Sequence, residues 1–292
     1  MPTISQRAWY VIVLLLLAFA QPGAARLLEE VIELPATVAN VRGQSISHPI
    51  KVTIFRDDAA AKSPFLVLNH GRPAKPEDFA KMGRQRYTDN SKYFVAKGFA
   101  VFVPTRIGYG VTGGEDVEYS GGCQARNYPP VYEAAAQQTL NVMAHARTLP
   151  YVDGSRGLVV GQSFGGATAI AVAAKSPAAV VAAVNFAGGG GGNPVSRPGD
   201  PCRADLLEKL FASYGSTARI PTLWLYSEND KYFGKQHPRS WFKVFQEKGG
   251  RGEFVQLPPL PAELGEDGHA SFTRHPSAWR PAFEAFLRQN GF

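Results

Sequence analysis

Residues 159–166 read Val-Val-Gly-Gln-Ser-Phe-Gly-Gly, and this stretch decides the fold. The apolar run Leu158–Val160 predicts a buried strand, and Ala167–Ala174 predicts a helix. Between them lies Gly-x-Ser-x-Gly, which is typical of a very tight strand-to-helix turn that holds a serine clear of the backbone. Glycines two residues on either side of the serine leave room in the turn, and a further glycine lets the helix begin close to the sheet. The stretch therefore predicts a nucleophile, Ser163, at a helix N-terminus that favours developing negative charge.

Strands and helices alternate on both sides of this turn. The other predicted strands are Glu29–Leu34, Ile50–Phe55, Phe65–Leu68, Phe99–Val103, Val180–Asn185, Pro221–Tyr226 and Glu253–Leu257, and the other predicted helices are Asn90–Lys97, Val131–Thr148, Asp205–Tyr214, Pro238–Lys248 and Trp279–Gln289. The first two strands are expected to form an antiparallel pair. The alternation predicts an α/β fold with a mostly parallel central sheet and helices on both faces. Because no repeat or linker interrupts it, we expect residues 26–292 to form a single domain.

The composition is that of a globular protein. Of 292 residues, 45% are hydrophobic and 19% are charged. The formal net charge is +7, but the basic residues are scattered singly and form no run of like charges. We therefore expect a plain basic surface and no nucleic-acid partner.

The N-terminus has the layout of a secretory signal peptide. Arg7 precedes thirteen apolar or aromatic residues, Ala8–Ala20, and small residues follow. This run is shorter than the roughly twenty residues of a membrane span. We therefore expect residues 1–25 to be a signal peptide, the mature protein to be secreted or periplasmic, and no stable membrane anchor to remain.

The two cysteines, Cys123 and Cys202, both lie in segments rich in glycine or proline. In an oxidising compartment such a pair is more often bridged than free, so we expect a disulfide. The alternative is two unrelated thiols.

A serine hydroxyl becomes a good nucleophile when a base takes its proton and an acid orients that base. In a sheet with a serine turn of this kind, the acid and then the base follow the serine along the chain, each beyond the end of a strand. Asp230 comes four residues after Tyr226, which ends a predicted strand, and His269 lies in the loop after the next strand. The predicted catalytic set is Ser163, Asp230 and His269.

Glu228 is the rival acid and His275 the rival base. Glu228 lies closer to the strand and is expected to be a surface or loop carboxylate. His275 precedes Pro276 near the last helix, where we expect it to cap or pack, whereas Gly268 gives His269 the freedom to swing over the sheet. The remaining histidines expected at the surface or in packing are His48, His145 and His237.

The negative charge of a tetrahedral intermediate needs preorganised donors. One predicted donor is the backbone amide of Phe164, directly after the nucleophile. The second is expected from the loop after the buried strand Phe65–Leu68, where Arg72 is the candidate and Gly71 would allow the turn. We expect His70 to brace this loop and to be structural.

Two long loops, residues 104–130 and 188–204, are expected to shape the substrate pocket, and a Cys123–Cys202 bridge would tie them together. The aromatic residues expected near the pocket mouth are Tyr109, Tyr232 and Phe233. They indicate an apolar or aromatic substrate group, although these residue types also serve as core.

Residues 108–113 match Gly-x-Gly-x-x-Gly, the dinucleotide-binding fingerprint, and they follow a strand. No helix pattern comes after them, so the structural context that the fingerprint requires is missing. The sequence also has no phosphate-binding Gly-Lys-Ser/Thr motif and no metal-ligand spacing such as His-Glu-x-x-His or Cys-x-x-Cys. We expect no cofactor and no metal.

From about residue 45 to its end the chain resembles a serine α/β-hydrolase, in the dienelactone-hydrolase-like or prolyl-oligopeptidase-like branch. The motifs that carry the resemblance are Asn69-His70-Gly71-Arg72-Pro73, Arg106-Ile107-Gly108-Tyr109-Gly110, Gly161-Gln162-Ser163-Phe164-Gly165-Gly166, Glu228-Asn229-Asp230 and Gly268-His269. Dienelactone hydrolases proper use a cysteine nucleophile and are cytosolic, so the serine and the export signal make dienelactone a doubtful substrate. Oligopeptidases usually carry a propeller domain, for which this chain has no room.

These observations predict an exported serine hydrolase that cleaves carboxylic esters through an acyl-enzyme intermediate, with a small-molecule ester as its partner. A peptidase or an acyltransferase on the same fold is the first alternative. The second is a non-catalytic binding protein that keeps the fold, against which the intact Ser, Asp and His set argues.

Overall fold

The computed structural model describes residues 26–292, and the predicted signal peptide, residues 1–25, lies outside the described residues. The strands are β1 (Leu27–Leu34), β2 (Thr37–Ala39), β3 (Ser45–Ser47), β4 (Ile50–Asp57), β5 (Ser63–Asn69), β6 (Ala100–Thr105), β7 (Val152–Gln162), β8 (Val180–Phe186), β9 (Thr222–Ser227) and β10 (Gly252–Leu257). The α-helices are α1 (Thr88–Ala96), α2 (Tyr128–Ala146), α3 (Phe164–Ala174), α4 (Ala204–Thr217), α5 (Gln236–Glu247), α6 (Ser271–Arg274) and α7 (Pro276–Gln289).

Eight strands form one sheet in the order β1-β4-β6-β5-β7-β8-β9-β10. The β1–β4 and β4–β6 pairs are antiparallel, and every pair from β6 to β10 is parallel. Parallel neighbours require crossovers, and helices in these crossovers cover the faces of the sheet. The predicted fold, an α/β fold with a mostly parallel central sheet, is confirmed, including the antiparallel opening pair.

Both faces of the central strands are buried, which explains the continuous apolar runs of β5, β6 and β9. Along β7, Val159 packs into one core and its neighbour Val160 into the other, because successive side chains of a strand point to opposite faces. The first core includes residues of α2, α3, α4 and α5, and the second includes residues of α1 and α7. The strand before Ser163 is therefore held from both sides.

The structure departs from the predicted elements in several places, among them the unpredicted helix α6 and the start of α7, three residues before the predicted Trp279. The short hairpin β2–β3 was not predicted, and β7 begins at Val152, ahead of its apolar part. Helix α2 begins at Tyr128, three residues before the predicted start, with Pro129 and Pro130 in its first turn. Proline is tolerated there because the first helical N–H groups have no partner within the helix.

Cys123 and Cys202 are joined by a disulfide, with their Cα atoms 5.0 Å apart. The predicted bridge is therefore present, and it ties the loop between β6 and α2 to the loop between β8 and α4.

No helix within residues 26–292 combines the length and apolar character needed to cross a bilayer.

Candidate active site

Ser163 lies on the turn between β7 and α3 in a strained backbone conformation, with φ 58° and ψ −125°. The crowding of this turn explains its glycines. A Cβ at Gly161 would lie 1.9 Å from the Gly165 carbonyl oxygen, and a Cβ at Gly165 would lie 2.2 Å from the backbone carbonyl oxygen of Asn69. Non-glycine residues adopt a positive φ when the surrounding structure imposes it, and such strain concentrates at functional sites. The turn holds the serine hydroxyl at the carboxyl edge of the sheet.

The structure brings Ser163, His269 and Asp230 together in a line of hydrogen bonds. Ser163 Oγ is 2.8 Å from His269 Nε2, and His269 Nδ1 is 3.0 Å from Asp230 Oδ2. All three residues are largely buried. Since these distances are within hydrogen-bonding range on both sides of the imidazole, a proton can pass from the hydroxyl to His269 while Asp230 fixes the ring.

Backbone donors fix the two partners of the serine. Asp230 Oδ1 accepts from the amides of Tyr232 (2.7 Å) and Phe233 (3.0 Å), which leaves Oδ2 to accept from the imidazole. Asp267 Oδ1 accepts from the His269 amide at 3.0 Å. The Tyr232 ring stacks on the imidazole with a centroid separation of 4.0 Å. Asp267 and the stacking of Tyr232 were not predicted from the sequence; the only signal was the position of Asp267, two residues before His269.

The rival residues lie elsewhere. Glu228 forms a surface ion pair with Lys235, at 2.7 Å. His275 precedes α7 at its N-cap position and makes no hydrogen bond to Ser163 in the described part of the chain. His237 is 3.8 Å from the exposed Asp200, and His48 bonds its neighbour's carbonyl.

The two predicted oxyanion donors lie beside the serine. Phe164 is the first residue of α3, and both Phe164 and Arg72 line the cavity that contains Ser163. Within residues 26–292 neither amide has a hydrogen-bond acceptor, so both are free for a substrate oxygen. Gly71 serves close approach rather than a turn, because a Cβ there would lie 2.9 Å from Ser163 Cβ.

The Arg72 side chain belongs to a buried polar network under the cavity. Asp116 accepts from both of its terminal nitrogens, at 2.7 and 2.5 Å, and the Tyr109 hydroxyl accepts at 2.6 Å. Tyr109 in turn donates to Glu118 at 2.7 Å, and Glu118 pairs with Arg106 at 2.6 Å. Arg106 and Glu118 are fully buried, so each needs the other as a charge partner.

Tyr109 therefore does not have the position expected from the sequence. It is fully buried beneath Arg72 and lies outside the two cavities at Ser163, whereas Tyr232 and Phe233 do line the larger one. Burial and the nearby Glu118 carboxylate hold the pKa of Tyr109 well above its ordinary value. Its hydroxyl stays protonated and links Arg72 to the Arg106–Glu118 pair.

His70 braces the same loop. Burial, together with the positive charge of Arg106, holds the pKa of His70 well below its ordinary value. The neutral ring can therefore donate from Nδ1 to the Gly71 carbonyl (2.7 Å) and accept at Nε2 from the Arg106 amide (3.1 Å). Arg106 Nη1 also donates to the His70 carbonyl at 2.9 Å. The loop that carries Arg72 is thus fixed from below.

Two cavities flank the serine. The larger, of about 280 Å³, is lined by aromatic rings, among them Phe79, Tyr128 and Tyr232, and by the loop 189–192. The smaller, of about 210 Å³, contains Ser163 and His269 together with Tyr87 and Gln162. A substrate bound across Ser163 could place one portion in each cavity.

An eight-stranded, mostly parallel sheet with a strained serine turn after a central strand defines the α/β-hydrolase fold. The sequence profile of the alpha/beta hydrolase family matches residues 65–288, and this chain belongs to that family. Membership of this family supports a hydrolase. No curated protein sequence matches the chain.

Solved structures share the fold at low sequence identity. A proposed dienelactone hydrolase from Klebsiella pneumoniae is 15% identical, with a TM-score of 0.54, over 89% of this chain and 98% of the other. The acetyl xylan esterase from Paenibacillus sp. R4 is 14% identical, with a TM-score of 0.58, over 91% of this chain and 88% of the other. The Pyrococcus horikoshii acylaminoacyl peptidase is 14% identical, with a TM-score of 0.59, over 90% of this chain but 42% of its own length. The resemblance inferred from the sequence motifs is confirmed.

Proposed function

We propose that this protein is an exported serine hydrolase that cleaves carboxylic esters through an acyl-enzyme intermediate. The observation that carries the proposal is the hydrogen-bonded line from Ser163 Oγ through the imidazole of His269 to Asp230. The disulfide supports export, because disulfides persist in oxidising compartments.

In the proposed reaction, Ser163 Oγ forms a bond to the acyl carbon while its proton passes to His269 Nε2. Asp230 stabilises the imidazolium that results. The Phe164 and Arg72 amides donate hydrogen bonds to the acyl oxygen and so stabilise its negative charge. The bond between the acyl carbon and the alcohol oxygen then breaks, and His269 donates its proton to the leaving alcohol. A water molecule then gives a proton to His269 as its oxygen bonds to the acyl carbon. The bond from that carbon to Ser163 Oγ breaks, His269 returns the proton to Ser163, and the acid is released.

The positions of the cavities suggest which part of the ester each would hold. The leaving alcohol must lie within reach of His269, because that residue protonates it. The smaller cavity contains both Ser163 and His269, so we assign it to the alcohol. The larger cavity extends from Ser163 past Phe164 towards Tyr128, and we assign it to the acyl group.

The solved structures that share the fold include both an esterase and a peptidase. The chain spans 88% of the acetyl xylan esterase but 42% of the acylaminoacyl peptidase. A peptidase or acyltransferase remains the second candidate, on the shared fold.

The decisive experiment compares the wild-type protein with Ser163→Ala on p-nitrophenyl butyrate. Loss of a nucleophile of this kind lowers kcat by about 10⁴-fold or more. Ser155→Ala is the matched control, since Ser155 is exposed near the opposite end of the same strand and should leave turnover unchanged. A fluorophosphonate probe should label the wild-type protein on Ser163.

Unchanged turnover in Ser163→Ala would rule out the proposed nucleophile, and no labelling of the wild-type protein would favour a binding protein. Faster cleavage of a matched p-nitroanilide than of the ester would instead indicate a peptidase. Transfer of the butyryl group to an added alcohol would indicate an acyltransferase.

A further inference from the structure

Arg126 is a cationic residue on the wall of the larger cavity that has no acidic partner. It follows the disulfide cysteine Cys123 by three residues and is partly exposed. Its Nη1 donates to Ser120 Oγ at 2.9 Å, and its buried Nε has no hydrogen-bond partner. In the described chain no carboxylate lies within 4.0 Å of it. Its positive charge is therefore uncompensated.

The remaining groups around this cavity do not supply a counter-charge. Among the described residues that line it, none is acidic, and the other arginine, Arg72, is already paired with Asp116. A second arginine without a carboxylate partner in the described chain, Arg197, contacts the Cys123 sulfur and donates to the Gly191 carbonyl at 3.2 Å. Two arginines without a carboxylate partner in the described chain thus lie beside the disulfide, and Arg126 is the one that lines the cavity.

This end of the cavity is held in place. The disulfide joins the loop that carries Arg126 to the loop after β8, and the Tyr128 hydroxyl donates to the Cys202 carbonyl at 2.5 Å. A guanidinium has several donors in a fixed plane and binds carboxylates with two hydrogen bonds. The Arg126 guanidinium is held by Ser120 Oγ and lies 3.9 Å from Cys202 Sγ, but no carboxylate of the described chain pairs with it. On the wall of a cavity without acidic residues, such a group suits an anionic group of a bound molecule.

We propose that Arg126, assisted by the charge of Arg197, binds a carboxylate on the acyl part of the substrate. This inference rests on the proposed function and narrows it: the substrates are half-esters of dicarboxylic acids, cleaved at the esterified end. Arg126 is the residue that determines this preference, whereas Ser163 and His269 perform the chemistry.

The test compares two esters of the same acyl length, the 4-nitrophenyl half-ester of glutaric acid and 4-nitrophenyl pentanoate. The wild-type protein should show the higher kcat/KM on the glutarate half-ester. Arg126→Gln should lower the ratio of kcat/KM on the glutarate half-ester to kcat/KM on pentanoate about 10-fold or more, the range of a hydrogen bond to a charged group. Arg126→Lys should retain part of the preference. Arg251→Gln removes an exposed charge before β10, at the opposite end of the sheet, and should behave as wild type.

An equal loss of kcat/KM on both esters in Arg126→Gln would show that Arg126 only shapes the cavity wall, and would overturn the proposal. An unchanged preference would overturn it as well. Arg126 also borders a second groove, between α2 and α4, where an anion could bind without meeting the substrate. Binding in the acyl cavity predicts that free glutarate inhibits pentanoate turnover competitively. Inhibition that is not competitive would refute binding there.

The failure of the proposed function gives a different result. If the wild-type protein cleaves neither ester, the proposed esterase function is refuted. Calorimetric titration of glutarate into wild type and Arg126→Gln would then still test the anion site: weaker binding to the variant supports the site, and equal binding removes it.

Discussion

Replacing Gly71 by alanine should impair the reaction far more than its small size suggests. The added Cβ would lie 2.9 Å from Ser163 Cβ and 3.0 Å from Gln162 Oε1. Carbon atoms in contact prefer about 3.5–4.0 Å, so the loop or the serine must move by roughly 0.6–1 Å. A misplacement of about 1 Å at a reacting group lowers the rate about 10²-fold, which corresponds to about 2.7 kcal/mol of transition-state stabilisation.

The measurement is kcat for p-nitrophenyl butyrate, together with the rate of fluorophosphonate labelling. Urea unfolding of the same variant should show a loss of about 1–3 kcal/mol, typical of overpacking, which leaves the protein folded in the assay. Gly122→Ala is the control, because its added Cβ would meet no atom within 4 Å and its φ of −66° suits alanine. Turnover by Gly71→Ala within about threefold of wild type would show that the loop carrying Arg72 does not need this close approach to Ser163.

Two further predictions concern stability. Replacing Cys123 and Cys202 by serine opens a loop with a sequence separation of 79, for which the chain-entropy relation gives a loss of about 4.5 kcal/mol in the free energy of unfolding. Urea titration should show this loss in the variant and a similar one in reduced wild type; a loss below about 1 kcal/mol would mean that other contacts hold the two loops. Glu118→Gln leaves Arg106 buried without its charge partner and should cost about 3–5 kcal/mol by the same titration. Glu266→Gln breaks an exposed pair with Lys231 and should cost at most about 1 kcal/mol, and equal effects of the two would contradict the importance of burial.

Much of the fold followed from local patterns. The eight sheet strands are continuous apolar or alternating runs, and the serine turn has a distinctive order of glycines, so both were predictable. The hairpin β2–β3 was missed because each of its strands has three residues, too few for a period to show. The start of β7 was missed because its residues 153–156 are polar or glycine.

The site was predictable as far as its residues follow strand ends. Ser163, Asp230 and His269 each come after or near the end of a strand, and parallel strands bring those ends to one edge. The buried Arg106–Glu118 pair could not be predicted in this way, since its partners lie in one irregular loop and meet through its tertiary folding. Tyr109 was placed in the pocket for the same reason: burial in a loop leaves no periodic signal. Nor did any sequence pattern distinguish Arg126 from the other scattered arginines.

The parallel order of the strands has a consequence for how the protein matures. Ser163 and His269 are separated by 106 residues, and the imidazole follows β10, the last strand among residues 26–292. Sheets that depend on distant pairings fold slowly, because long loops must close before the contacts form. In the proposed mechanism the Ser163 hydroxyl has its base only when the segment after β10 is in place, so hydrolysis would require the parallel part of the sheet to be assembled.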